Sequence, residues 1–563
     1  MDAQARDAET ALEVVLHGRR LKVPGGATLG EIAAREGEPA TGWEAPVAAL
    51  LDGRLVSLHH SVYDGAEIRL LRSWHHEGRL VYRRSLSIVI QAAVRNLYPG
   101  VRLVVGQSLG GGVFYDWLGE PRVSPSRVRA LEREMHGLVK KDLPLRFRRL
   151  SERQTIRMFR ERGMHDRELL LTTWWHESVR LVCLGDYFDI RHGPVATSTG
   201  RLPHFRLSPL KRGVLLRFPD SGKAERPRGR PRVVKALFDV YRETKQWNGI
   251  LGVSTVGELN RACIDGEIDE IVRVAEGLHE QKIVGIAESI RRRGDVRIVL
   301  IAGPSSSGKT TFAKRLSVQL RVIGLNPVAL SVDDYYVDRE KTPLDENGEY
   351  DFEALEAVDL GMFNRHLGQL LAGRRVHIPR YEFSKGRRAG REKWKPTRVD
   401  DTDVLIIEGI HALNPRLTRK VAGRQKFGIY VSALTQLCLD AANRISTTDV
   451  RLVRRIVRDR LYRGYTASQT LANWASVKRG EAHNIFPFQD RADVMFNSTL
   501  VFELAVLKMY AHRFLLEVPH EDATFTEAYR LLKFLELFVG VSPDKVPRTS
   551  IIREFMGGSD FLY

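Results

Sequence analysis

The sequence predicts an α/β fold built on a parallel sheet flanked by helices, with smaller β-containing units ahead of it. Three observations predict it. The apolar run 296–302 leads directly into Gly303-Pro304-Ser305-Ser306-Ser307-Gly308-Lys309-Thr310-Thr311 and then a helix-like segment ending near Gly324. Two more β-branched runs, 327–332 and 404–407, end in acids, Asp333-Asp334 and Glu408. Strands that alternate with helices and carry their chemistry at their carboxyl ends form open parallel sheets, and ligands bind along that edge.

Length and composition set the frame. A chain of 563 residues exceeds what one core supports, so several domains are expected. With 88 Lys and Arg against 69 Asp and Glu, the net charge of +19 favours anionic partners: nucleotides first, with RNA as the alternative. No apolar run approaches the roughly 18 residues of a membrane span. The polar, acid-bearing start, Met1-Asp2-Ala3-Gln4-Ala5-Arg6-Asp7, reads as neither signal nor transit peptide. Cys183, Cys263 and Cys438 lie far apart, which suits a reducing cytoplasm and no disulfide framework.

Residues 11–72 read as a small β-rich module. His17-Gly18-Arg19 separates two strand patterns, and Thr28 with Glu31 forms a capping-box signature. The pattern resembles the TGS domain, a ubiquitin-like β-grasp module. Residues 73–220 resemble the second additional domain of threonyl-tRNA synthetase, an α+β unit. That likeness rests on Tyr82-Arg83-Arg84-Ser85-Leu86-Ser87-Ile88 and on Gly185-Asp186-Tyr187-Phe188-Asp189-Ile190-Arg191-His192-Gly193-Pro194. The synthetase's metal-type motif positions fall on Arg84, Ile88, Arg191 and Val195, and none supplies a zinc ligand. His75, His76, His165, His176, His192 and His204 match no ligand spacing, so a scaffold role is expected.

Residues 221–290 are a linker followed by helices. The Pro/Gly/Arg-rich stretch 221–235 marks a boundary, and Ile268, Val272, Ala275, Leu278 and Ile283 recur at near-helical spacing. Arg291-Arg292-Arg293 before Gly294 suits a helix C-terminus. Residues 291–540 hold the catalytic domain, in which the apolar helical pattern 500–540 is expected to pack back on the sheet. Residues 541–563 are a tail without a readable signal.

The loop after the first strand fits G-x-x-x-x-G-K-[ST], the cradle for a di- or triphosphate. Gly303, Ser305, Ser306, Ser307, Gly308, Lys309, Thr310 and Thr311 would turn backbone N–H groups and a helix N-terminus toward the phosphates of ATP. Lys309 would reach the outer phosphates, and the Thr310 hydroxyl would coordinate Mg²⁺. Phosphoryl transfer to a hydroxyl also needs a carboxylate near the acceptor proton and a metal clamp, which Asp333 and Glu408 can supply. Between 444 and 463 lie Arg444, Arg451, Arg454, Arg455, Arg458, Arg460 and Arg463. Arg451, Arg455 and Arg458 share one helical face, suited to a phosphate-clamping lid. The loop 385–395 is basic and is expected to be exposed.

Residues 296–500 resemble the uridine kinase and phosphoribulokinase family of P-loop kinases. The likeness is carried by the phosphate loop, Ser331-Val332-Asp333-Asp334-Tyr335-Tyr336, Ile378-Pro379-Arg380-Tyr381-Glu382-Phe383, Ile407-Glu408-Gly409-Ile410-His411-Ala412-Leu413, and Arg454-Arg455-Ile456-Val457-Arg458-Asp459 with Arg463-Gly464. The resemblance implies Asp333 as general base and metal-site aspartate, Glu408 near Mg²⁺, and Arg455, Arg458 and Arg463 as lid arginines. It implies a substrate site at Asp333, Tyr336, Glu353, Tyr381 and Arg455. Glu353 takes the place of a ribose-binding aspartate, with Asp351 close enough to compete, and a base-reading histidine's position falls on about Gly386. The implied activity is ATP-dependent phosphorylation of a nucleoside 5′-hydroxyl. The alternatives are another small acceptor such as a sugar phosphate, or an RNA-associated P-loop NTPase.

Overall fold

His17 and Gly18 both adopt positive φ, 49° and 83°, the turn that joins antiparallel β1 (Ala11–Leu16) to β2 (Arg19–Pro24). α1 (Leu29–Arg35) follows, with Thr28 as its cap and the Glu31 carboxylate accepting the Thr28 N–H at 2.8 Å. With β3 (Ala48–Leu51), β4 (Arg54–Val56) and β5 (Glu67–Leu71) the sheet order is β2-β1-β5-β3-β4, and β1 runs parallel to β5. This is a β-grasp arrangement. The computed structural model describes residues 11–562 apart from 120–122, 220–226, 228, 230, 232–233, 346–347, 349, 383–384 and 436, so the start of the chain, Phe383 and most of the 221–235 stretch lie outside the described residues.

The long helix α2 (His76–Leu97) leads into an α+β unit with two antiparallel sheets. Its elements in order are β6 (Arg102–Leu109), β7 (Gly112–Leu118), α3 (Pro125–Lys140), β8 (Arg146–Ser151), α4 (Glu152–Glu161), α5 (His165–Thr172), β9 (Ser178–Leu184), β10 (Tyr187–Ile190), β11 (Arg206–Leu210) and β12 (Gly213–Arg217). α2 and α3 pack on these strands through Tyr82, Leu86 and Leu131, against Tyr115 and Trp117.

Three helices, α6 (Lys235–Leu251), α7 (Val256–Ile264) and α8 (Ile268–Arg293), precede the parallel sheet. On α8 the predicted stripe is buried at Ile268, Val272, Ala275 and Ile283; Leu278 is only partly covered, and Glu276 and His279 turn inward instead. Gly294, at φ 76°, ends the helix after the three arginines.

The remaining elements are β13 (Ile298–Ala302), α9 (Lys309–Val322), β14 (Asn326–Ser331), α10 (Leu360–Leu371), β15 (Val376–Ile378), β16 (Tyr381–Glu382), β17 (Arg387–Arg388), β18 (Lys395–Thr397), β19 (Asp403–Glu408), β20 (Lys426–Ser432), α11 (Thr447–Tyr462), α12 (Ala467–Asn484), β21 (Val494–Asn497), α13 (Glu503–Leu516), α14 (Phe525–Leu535) and α15 (Arg553–Met556). Five strands form a parallel sheet in the order β14-β19-β13-β20-β21. β13 is central and wholly buried, as a strand covered on both faces must be. Its carboxyl end, with those of β14 and β19, defines the edge where the loop and both acids emerge.

α13 and α14 depart from expectation. α13 packs on α11 and α14 packs on α13 and α12 rather than on the sheet, and they close a core that the N-terminal half shares. Phe159, Leu170 and Leu181 lie in one apolar cluster with Val450, Leu452, Phe502 and Phe538. Among the described residues, no helix is long and apolar enough to cross a membrane.

Candidate active site

The loop's shape follows from two glycines. A Cβ on Gly303 would collide with the Val431 carbonyl oxygen of β20, and Gly308 takes φ 83° one residue before α9 begins. Ser306 is also left-handed, at φ 58°. Lys309 Nζ donates to the Pro304 carbonyl at 3.1 Å, arched over the loop. The hydroxyl oxygens of Ser306 and Ser307 are buried and have no hydrogen-bond partner among the described residues. A cradle of N–H groups with orphaned hydroxyls fits an oxygen-rich anion.

β14 and β19 pair so that Ser331 lies opposite Glu408, and Asp333 comes two residues later. Thr310 Oγ1 donates to Glu408 Oε1 at 3.1 Å. Burial pushes Glu408 up to about 7, with the Asp333 charge reinforcing it and Lys309 opposing it. Burial likewise raises Asp333, against the pull of Lys309, Arg463 and Arg458. Two carboxylates, one hydroxyl and one ammonium therefore share a recess at the strand ends. Hard oxygen donors of this kind suit Mg²⁺, which takes one or two carboxylates and completes its shell with water and phosphate. Among the described residues, no group of three or more His, Cys, Asp or Glu is arranged to hold a metal.

The arginines do not form one solvated face. Arg454 is fully buried, paired with Glu503 at 2.5 Å and bonded to Ser498. Arg451 is also buried; it pairs with Glu481, donates to the Ser305 carbonyl at 2.9 Å and stacks on Trp474. These two brace the loop from behind. Arg455, Arg458 and Arg463 instead converge on Asp459, at 3.2, 2.7 and 3.8 Å. Burial alone would raise Asp459, but the three guanidiniums overcome it and hold the carboxyl below its ordinary value. Arg455 also donates to Ser305 Oγ at 2.7 Å.

On the other flank, the rings of Tyr336 and Tyr381 lie 5.7 Å apart, and the Tyr336 hydroxyl donates to the Phe352 carbonyl at 3.0 Å. Glu353 faces the recess. Burial pushes it up to about 7, then the Glu481 charge, while Arg455 and Lys309 oppose. Asp351 accepts the Glu353 N–H at 3.0 Å, so it supports Glu353 from the side. α12 can approach because Gly480 lacks a side chain: a Cβ there would strike Glu353. At Gly386, φ is 64° and the Arg339 guanidinium fills the space a Cβ would enter. The basic loop is pinned rather than loose, since Lys385 and Lys393 both pair with Glu382 and Arg388 donates to the carbonyls of Tyr335 and Tyr336.

Glu481 and Glu554 are the residues that sequence reasoning missed. Glu481 Oε1 accepts the Ser305 N–H at 2.9 Å, and Glu554 Oε2 accepts both the N–H and the hydroxyl of Thr311 at 2.9 Å. Neither sits in a motif, and each reaches the loop from a distant helix.

Residues 298–504 match the Phosphoribulokinase / Uridine kinase family. The matched segment carries the phosphate loop, Asp333, Glu408 and the arginines of α11. The N-terminal region is similar to threonine–tRNA ligases: the Rubrobacter xylanophilus enzyme is 33% identical over 190 residues, 34% of this chain and 29% of the ligase. The Thermus thermophilus enzyme is 33% identical over 204 residues, 34% of this chain and 30% of the ligase. The chain thus spans under a third of these relatives' length. Among solved structures, a possible uridine kinase from Bacillus stearothermophilus shares 20% identity, covering 38% of this chain and 98% of that one at a TM-score of 0.27. D-glycerate 3-kinase from Cryptococcus neoformans shares 17%, covering 46% and 88% at a TM-score of 0.23.

In the N-terminal half, Arg84, Ile88, Arg191 and Val195 all line one cavity of about 10 Å³, no larger than a single water. Arg84 donates to the Pro194 carbonyl at 2.6 Å, and Ala442 and Asn443 of the catalytic half close the cavity. His192 Nε2 meets Asp440 at 2.7 Å.

Proposed function

We propose that the chain is an ATP- and Mg²⁺-dependent kinase that phosphorylates the 5′-hydroxyl of a nucleoside. The observation that carries this reading is the recess where Thr310, Glu408 and Asp333 meet beneath Lys309. The loop N–H groups and Lys309 would grip the β- and γ-phosphates. Thr310, Glu408 and Asp333 would hold Mg²⁺, which supplies charge neutralisation when bound. Asp333 orients the acceptor hydroxyl and takes its proton. Arg455, Arg458 and Arg463, aimed by Asp459, neutralise the transferring charge, and Arg455 is tied to the loop through Ser305. Tyr336, Tyr381 and Glu353 form the acceptor wall.

Gly386, where a base-reading histidine would stand, favours a second reading in which the acceptor is another small alcohol such as a sugar phosphate. Incubation with ATP, Mg²⁺ and a panel of nucleosides, sugars and sugar phosphates decides between them. Turnover of a nucleoside alone supports the first reading, and turnover confined to another acceptor supports the second. The likeness of the N-terminal region to tRNA ligases motivates a tRNA arm. ATP hydrolysis that depends on tRNA, with no phosphorylated small molecule, would overturn both.

A further inference from the structure

Both ends of the phosphate loop's donor row are met by carboxylates from within the chain, yet the two differ in kind. Glu481, at Ser305, is 1% exposed and paired with Arg451, so its charge is balanced and its place is fixed. Glu554, at Thr311, is partly exposed and has no ion pair among the described residues. Its charge is held by two hydrogen bonds in the first turn of α9, where unsatisfied N–H groups and the positive end of the helix dipole attract anions.

We propose that Glu554 is a built-in competitor for the nucleotide, an acid that occupies phosphate-binding donors until a polyphosphate displaces it. The inference rests on reading the loop as a nucleotide site. Thr311 closes the run of loop and helix donors that starts at Gly303, and a phosphate oxygen laid along that run would need the same N–H and hydroxyl that Glu554 Oε2 accepts at 2.9 Å. The backbone bearing Glu554 is anchored independently of this contact. Arg553 donates to the carbonyls of Pro543, Val546 and Gly557 at 2.8, 2.6 and 3.2 Å. Ile551 is buried beside Gly308, and Phe555 is buried under the Arg454 guanidinium at 5.0 Å. The Glu554 side chain can therefore leave Thr311 by rotation while α15 stays docked.

The test measures nucleotide affinity rather than turnover. In the full chain with Mg²⁺, calorimetry should show ADP and ATP binding about fivefold or more tighter to Glu554→Ala than to wild type, with Glu554→Gln between them. A crystal structure of the wild-type chain with ADP and Mg²⁺ gives a second readout that needs no variant: the Glu554 carboxylate should be turned away from Thr311 with α15 still in place. Equal or weaker binding by Glu554→Ala, or a Glu554 carboxylate still bonded to Thr311 beside bound ADP, overturns the competitor. Equal binding would leave the nucleotide site standing. Failure of both proteins to bind ADP or ATP would overturn the site and the competitor together.

Discussion

Arg455 joins Ser305 to Asp459: one guanidinium nitrogen meets the loop hydroxyl at 2.7 Å and another meets the carboxylate at 3.2 Å. Asp459 thereby sets where three arginines point. Asp459→Ala should scatter them while keeping their charge, lowering kcat/KM for ATP by about tenfold or more, a loss of about 1.4 kcal/mol. Arg455→Lys, which keeps charge but loses the planar fork, should fall in the same direction. Steady-state kinetics at fixed ionic strength reads both, and wild-type values in Asp459→Ala would free the arginines from this hub.

Asp333 carries the proton step in the proposed reaction. Asp333→Ala should lose at least about a hundredfold in kcat, within the usual range for a general base. Near-normal turnover would remove it from that role.

The raised acids make a pH prediction. Glu408 and Glu353, pushed up to about 7, keep protons in the folded chain that the unfolded chain, at 4.5, has already lost. Their contribution to stability is present below about pH 4.5 and is lost as pH rises through 7. His411, held down at about 4 by burial, contributes the opposite slope, so the wild-type profile alone is ambiguous. Comparison with Glu408→Gln isolates one group. Without ligand, that variant should melt above wild type at pH 8 and close to it at pH 5. A difference that does not grow with pH would contradict the assignment.

The Arg454–Glu503 pair lies wholly inside the protein. Removing one partner leaves an uncompensated buried charge, which costs about 3–5 kcal/mol. Arg454→Met should lower the melting temperature by several degrees, and adding Glu503→Gln should restore part of the loss. A double variant no more stable than the single one would show that the pair is not energetically coupled.

The strand–loop–helix unit and the strand-end positions of Asp333 and Glu408 were legible because each is local: a few consecutive residues fix the element and where it ends. The burial of Arg451 and Arg454 was not, since a helical wheel gives faces without saying what each face meets. Glu481 and Glu503, thirty and forty-nine residues on, decide that. The tail was opaque for the same reason. Ile551, Glu554 and Phe555 lie in too short a stretch to establish a period, and they acquire meaning only against Gly308, Thr311 and Arg454. His192, conspicuous in sequence, has its partner Asp440 in the other half of the chain.

The apolar cluster that runs from Phe159 and Leu181 to Phe502 and Phe538 has a practical edge. A fragment begun at residue 298, where the family match starts, would carry every group of the proposed site and yet present a raw wound of leucine and phenylalanine to solvent. Each such side chain is worth about 1.5–3 kcal/mol when covered. Such a truncation should clump rather than catalyse, and the front half is better regarded as the other wall of one room than as an appendage.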